Sequence, residues 1–211
     1  MLSAEFWQQQ GKISGEAFGR GTTYFIQTDK QDWVLRHYFR GGLIGKLVRD
    51  SYVYTGVENT RAFKEFRLLD TLVKNNMPAP KPVACRVKRK GLFYQADLLT
   101  TRIESAQDLV AILQSKELHS TVWESIGKMI KKFHQLGIYH HDLNSHNILL
   151  DDKDKPWLID FDRGEQRDIA KSWQQANLAR LRRSFEKEKR KLSVFHWSEQ
   201  NWKSLKSGYD S

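Results

Sequence analysis

Three oxygen-bearing side chains recur at short intervals in the second half of the chain: Asp142, Asn147 five positions on, and Asp160 thirteen further on. They sit in His140-His141-Asp142-Leu143-Asn144-Ser145-His146-Asn147 and in Asp160-Phe161-Asp162. A carboxylate at 142 can accept or orient the proton of an attacking hydroxyl. An amide oxygen at 147 and a carboxylate at 160 are the hard donors that Mg²⁺ takes. That combination suits phosphoryl transfer, in which catalysis is mostly positioning and neutralisation of a polyanion. His140 reads as a support that holds the loop through hydrogen bonds. Each residue alone reads equally well as a turn cap or a strand end. Together, in this order between a helix and two short strands, they read as a site.

The elements that must position them follow from periodicity. Residues 121–136 form a helix with Trp123, Ile126, Ile130 and Phe133 on one stripe, and Gly137 ends it. Apolar strands at 148–150 and 157–159 flank a polar turn. Helices are expected at 108–114, 168–191 and 198–207. Earlier in the chain, strands are expected at 22–28 (TTYFIQT) and 33–39 (WVLRHYF), with a glycine-bearing run at 15–21 before this hairpin. A helix over 59–74 ends before Pro78, Pro80 and Pro82, and two strands at 83–87 and 92–102 follow. Strands first and helices afterwards imply an α+β protein. The expected division is a small antiparallel-sheet lobe over 1–103 and a mostly helical lobe over 104–211, with a hinge near 102–106.

The loop matches the H-x-D-L-x-x-x-N pattern of kinase catalytic loops, and Asp160-Phe161 matches the metal-binding D-F pair. ATP and Mg²⁺ are therefore the expected cofactors. In the first lobe, Gly15, Gly19 and Gly21 are candidates to bring backbone N–H groups to the phosphates. The segment aligned with the kinase V-A-I-K strand is Val34-Leu35-Arg36-His37, so arginine stands where lysine is usual. Either Arg36 binds the phosphates or Lys46 does, with Arg36 preferred. Glu65 is the candidate partner of Arg36, or one charge on a solvated helix face.

The wider wording resembles the bacterial 3-deoxy-D-manno-octulosonic acid (Kdo) kinase family, lipopolysaccharide kinases of the protein-kinase-like superfamily. Arg40-Gly-Gly-Leu-Ile-Gly-Lys46, the stretch from Gly137 to Leu150, and Leu158-Ile-Asp-Phe-Asp-Arg-Gly164 carry that resemblance. It implies the bilobal protein-kinase-like fold and transfer of the ATP γ-phosphate to a Kdo hydroxyl, O4, on Kdo-lipid A. The implied place of action is the cytoplasmic face of the bacterial inner membrane. Arg163, His141 and Asn144, within the same motifs, are candidates for contact with the acceptor.

Composition agrees with an anionic partner. The chain of 211 residues carries a net charge of +10, and a basic stretch runs through Arg180, Arg182, Arg183, Lys187, Lys189, Arg190 and Lys191. That stretch is a candidate for docking on an anionic membrane surface, with residues 36–49 as a rival surface. No nucleic-acid partner and no obligate protein partner is expected. The amino-terminal residues lack the form of a secretory signal, and no window approaches the ~20 apolar residues of a membrane span. One cysteine, Cys85, excludes a disulfide framework, and the histidines lack zinc-site spacing. A RIO-like kinase, a small-molecule phosphotransferase and a nucleotide-binding pseudokinase remain the alternatives. The distance from Asp160 to the next helix is too short for a protein-kinase activation loop, and no A-P-E segment follows.

Overall fold

The computed structural model describes residues 2–18, 22–39 and 50–211, with the backbone but not the side chain of Phe18. Gly19, Gly21 and Lys46 lie outside the described residues. The chain divides into two compact units: Met1–Thr71 with Pro80–Arg102, and Leu72–Ala79 with Ile103–Ser211.

The first unit is built on a six-stranded antiparallel sheet. Its strands are β1 (Ile13–Phe18), β2 (Thr22–Ile26), β3 (Trp33–His37), β4 (Tyr52–Val53), β5 (Pro82–Lys90) and β6 (Phe93–Thr101). The order is β1-β2-β3-β6-β4, with β5 paired to β6. Trp7 from the short helix α1 (Ala4–Gln9) closes one end of its core against Ile26, Leu35 and Leu99. The first hairpin is β1–β2, one strand earlier than the glycine run suggested. Gly15 therefore lies inside β1, paired with Phe25 beside a bulge, and not in a loop. Alternation in Ile13–Phe18 (ISGEAF) outweighs the glycine there. β5 runs on to Lys90, beyond its expected end at Val87, because Lys90 pairs with Phe93 across a two-residue turn, whereas β6 stays within its expected range. Gly91 at that turn has φ 59, which glycine takes without steric cost. Helix α2 (Arg61–Lys74) follows β4. Its one face carries Ala62, Glu65, Leu69 and Leu72 into the interior, at helical spacing.

The second unit is helical, with two small sheets. Its helices are α3 (Leu109–Ser115), α4 (Ser120–Gln135), α5 (Lys171–Lys191) and α6 (Glu199–Asp210). Helix α4 buries Trp123, Ile126, Ile130 and Phe133, the stripe legible in the sequence. Gly127 on α4 and Gly208 on α6 let the two helices approach until backbone meets backbone. A Cβ on Gly127 would land on the Leu205 carbonyl and 2.7 Å from the Tyr209 nitrogen. Strands β9 (Ile148–Leu150) and β10 (Pro156–Leu158) form a hairpin, and β7 (Gln107–Asp108) pairs with β9. β8 (Ile138–Tyr139) pairs with β11 (Glu165–Gln166). The loop 140–147 and the turn 159–164 thus hang between paired strands on both sides.

Candidate active site

The loop after β8 is tied down by its backbone. Asn144 and Asn147 both donate from their side-chain amides to the Asp142 carbonyl, at 3.0 and 2.9 Å. The Asn144 side-chain Oδ1 accepts in turn from the His146 and Asn147 N–H groups and caps the 3₁₀ turn Ser145–Asn147. The bond to the Asp142 carbonyl commits the NH₂ of Asn147, so Oδ1 is the end of its amide that could serve as an oxygen ligand. Asn144 is therefore part of the loop's scaffold. His141 is half-buried, edge-on to Tyr139 at 6.2 Å between ring centres.

The turn carrying Asp160 is locked to the same loop. The Ile159 N–H donates to the Asn147 carbonyl (2.9 Å), and His140 Nε2 donates to the Ile159 carbonyl (2.9 Å). His140 is buried, and burial pushes its pKa below the ordinary imidazole value. The Ile159 carbonyl and the charges of Asp160 and Asp142 pull the other way without winning. A neutral ring donating from Nε2 leaves Nδ1 as an acceptor, and that atom has no partner among the described residues. Phe161 is buried against His140 and Phe133, with ring centres 4.9 and 5.6 Å apart. Asp160 and Arg163 hold left-handed backbone, φ 60 and 59, which costs non-glycine residues of order 1 kcal/mol each. Burial of Phe161 and the Gly164 N–H to Phe161 carbonyl bond (2.7 Å) hold the turn in that form.

Helix α5 braces the loop from one face. Asn177 donates to the His140 carbonyl (3.1 Å). Ser184 Oγ accepts from the Ser145 N–H (3.0 Å) and bonds its hydroxyl (2.7 Å). His146 lies 3.1 Å from Asp108 and 3.5 Å from Glu188, and the Asp108 carboxylate holds its pKa above the ordinary value. Arg180 reaches the Asp142 carboxylate at 3.5 Å. The sequence singled out neither Arg180 nor these braces as site residues. The only signal for Arg180 was its membership of a basic run.

In the first unit, Arg36 on β3 is ion-paired with Glu65 on α2. The Tyr38 hydroxyl donates to the same carboxylate (2.5 Å) and accepts from Arg36 (3.3 Å). Glu65 is 3% exposed, which removes the solvated-face reading.

A sequence model of the lipopolysaccharide kinase (Kdo/WaaP) family matches residues 4–209. The chain belongs to that family. It is a kinase, a phosphotransferase with a hydroxyl as acceptor. This family member is 49% identical over 205 residues to the 3-deoxy-D-manno-octulosonic acid kinase of Vibrio parahaemolyticus serotype O3:K6, covering 97% of this chain and 85% of that one. The enzyme of the same name from Photobacterium profundum is 49% identical over 209 residues, 99% of this chain and 88% of that one. A Haemophilus influenzae relative of that name is 49% identical over 219 residues, at 99% and 89%. Among solved structures, the granulovirus kinase PK-1 of Cydia pomonella granulovirus superposes with a TM-score of 0.51 over 77% of this chain and 56% of that one. At 14% identity that likeness shows the fold alone: this is a protein-kinase-like α+β fold.

Proposed function

We propose that this kinase transfers the γ-phosphoryl group of ATP, as its Mg²⁺ complex, to a hydroxyl of a 3-deoxy-D-manno-octulosonic acid residue on lipid A, at O4. The observation that carries the reading is the convergence of the Asn144 and Asn147 amides on the Asp142 carbonyl. It holds the loop's main chain at Asp142 through the backbone carbonyl rather than through the carboxylate. Near-half identity to three octulosonic acid kinases over almost the whole chain supports the choice of acceptor.

The residues present suit magnesium. No group of three or more His, Cys, Asp or Glu side chains among the described residues makes a metal cage by itself. Mg²⁺ is usually held by one or two protein oxygens together with substrate phosphates, and Asn147 Oδ1 with the Asp160 carboxylate fits that habit. When bound, the ion offsets the charge that develops on the transferred group. Asp142 orients the acceptor hydroxyl and takes its proton. Arg36, set by Glu65 and Tyr38, contacts the nucleotide phosphates, and Gly19 and Gly21 supply backbone donors. Residues 1–103 act as the nucleotide-covering lobe and 104–211 as the catalytic lobe. Arg163 and His141 flank the acceptor.

The enzyme works from the cytoplasmic side of the inner membrane as a peripheral protein. No described helix is long and apolar enough to cross a membrane. Leu178, Leu181 and Phe185 of α5 are buried, so its outer face is left to cations, each worth ~1 kcal/mol against anionic lipid. The test is transfer of labelled γ-phosphate from Mg-ATP to Kdo-lipid A by wild type and Asp142→Ala. Label in the lipid that the variant abolishes is the expected result. Hydrolysis of ATP with no lipid label overturns the assignment of the acceptor.

A further inference from the structure

Arg180 stands at the rim of the loop for a structural reason. Asn177 and Ser184 of α5 bond the loop at the His140 carbonyl and at Ser145, one on either side of Arg180 in the helix. Residues three and four positions apart on a helix are neighbours, so the guanidinium is delivered beside those anchors, at Asp142. Its 3.5 Å contact with the Asp142 carboxylate is open to solvent, with the two side chains 46% and 39% exposed. An ion pair so exposed holds weakly and is easily exchanged for another anion. Arg183 and Lys187, exposed and at helical spacing from Arg180, continue the positive stripe away from the loop.

The acceptor proposed above is an acid. Its hydroxyl must reach Asp142, which brings its carboxylate onto a surface where that carboxylate needs a cation. Asp160 and Asn147 serve the metal, and Arg36 belongs to the first unit. Arg163 lies on the turn after Asp160, whereas Arg180 already meets a carboxylate at the loop, and the planar fork of arginine matches a carboxylate bidentately.

We propose that Arg180 grips the carboxylate of the ulosonic acid acceptor and thereby sets the sugar hydroxyl on Asp142. This rests on the acceptor assigned above. The incoming carboxylate replaces Asp142 as the partner of Arg180, so seating the acid removes the Arg180 contact from the Asp142 carboxylate as the hydroxyl arrives. A neutral sugar offers no such exchange and is discriminated against. No bond is made or broken in this step.

The experiment measures steady-state phosphorylation at saturating Mg-ATP, with the full chain and two acceptors: the Kdo glycolipid and the same glycolipid with its carboxylate converted to the amide. Wild type is expected to prefer the acid by roughly 10- to 100-fold in kcat/KM, mostly through KM. Arg180→Met raises KM for the acid by a similar factor and removes the preference, while kcat at saturating acceptor and KM for ATP stay within about two-fold. Arg180→Lys restores part of the preference, and an unchanged melting temperature in both variants excludes a folding effect. An acid preference that survives in Arg180→Met overturns the proposal. So does a fall in kcat with KM intact, which would place Arg180 on the transferred phosphoryl group. Wild type inactive on both glycolipids but hydrolysing ATP removes the acceptor assignment itself, and this inference with it.

Discussion

Arg36→Met keeps an unbranched apolar stem on β3 while deleting the guanidinium that faces Glu65. The carboxylate it abandons is 3% exposed, whereas Arg36 itself is 24% exposed. Removing one member of a buried pair costs ~3–5 kcal/mol, because the other charge stays buried. Partial exposure of Arg36 admits solvent screening, and the Tyr38 hydroxyl still donates to Glu65, so ~2–3 kcal/mol is the better expectation here. For a chain of this length that lowers the melting temperature by roughly 5–10 °C. Glu65→Gln placed on top removes the stranded charge and keeps an acceptor for Tyr38, so the double variant regains most of the loss. Four proteins in a thermal and urea denaturation cycle measure the coupling directly. In the same four, KM for ATP rises wherever Arg36 is absent, including the restabilised double variant. A coupling below ~0.5 kcal/mol would refute the account of the buried pair. Normal ATP kinetics in the double variant would refute the assignment of Arg36 to the phosphates.

Three further outcomes are expected. Burial pushes the His134 pKa down to about 4 from 6.5. Its neutral form is what the fold accepts, so stability is full above 6.5 and falls as pH drops toward 4, by up to ~3 kcal/mol. His134→Gln should flatten urea midpoints over that range, and an unchanged acid limb would count against the idea. His146 has the opposite sign: the Asp108 hydrogen bond raises its pKa, so its contribution is complete below 6.5 and lost as pH rises through the raised value. His146→Gln should lower the melting temperature at pH 6 and leave it unchanged at pH 9, a small effect because the side chain is half exposed. Gly127→Ala gains ~1 kcal/mol of helix propensity but drives a methyl group into the Leu205 carbonyl, so a net loss of ~2 kcal/mol or more is expected. A melting temperature that holds or rises would show that α4 and α6 can separate cheaply.

The loop 140–147 and the turn carrying Asp160 were legible because each is a contiguous run in which side-chain type and spacing carry the meaning. Helices α2 and α4 were legible for a related reason, since their apolar stripes repeat over several turns. The two-residue strands β4, β7, β8 and β11 were not, because two residues carry no period. β1 was missed because glycine in a strand reads as a turn until its partner strand is known. The Arg180–Asp142 contact joins residues 38 positions apart, and no local pattern separates that arginine from its basic neighbours. The His146 bridge was hidden in the same way, since Asp108 and Glu188 come from either side of it in the chain.

These hidden contacts share a logic that explains how such a short loop holds its shape. On the proposed mechanism, a loop that turns Asp142 to substrate cannot also use that carboxylate to satisfy its own backbone. Here the work falls to neutral groups: Asn144 and Asn147 on the Asp142 carbonyl, Asn177 on the His140 carbonyl, Ser184 on the Ser145 N–H, and the His140 ring on the Ile159 carbonyl. Neutral donors and acceptors hold main chain without imposing a field on Asp142 or Asp160. The charged brace, His146 between Asp108 and Glu188, is kept to the loop residue whose side chain turns toward β7 and α5. Arg180 differs from these groups in being a cation that touches Asp142 directly. On the proposed mechanism, a solvent-open cation beside Asp142 makes sense if another anion is to take its place, and that distinguishes Arg180 from the neutral groups that hold the main chain.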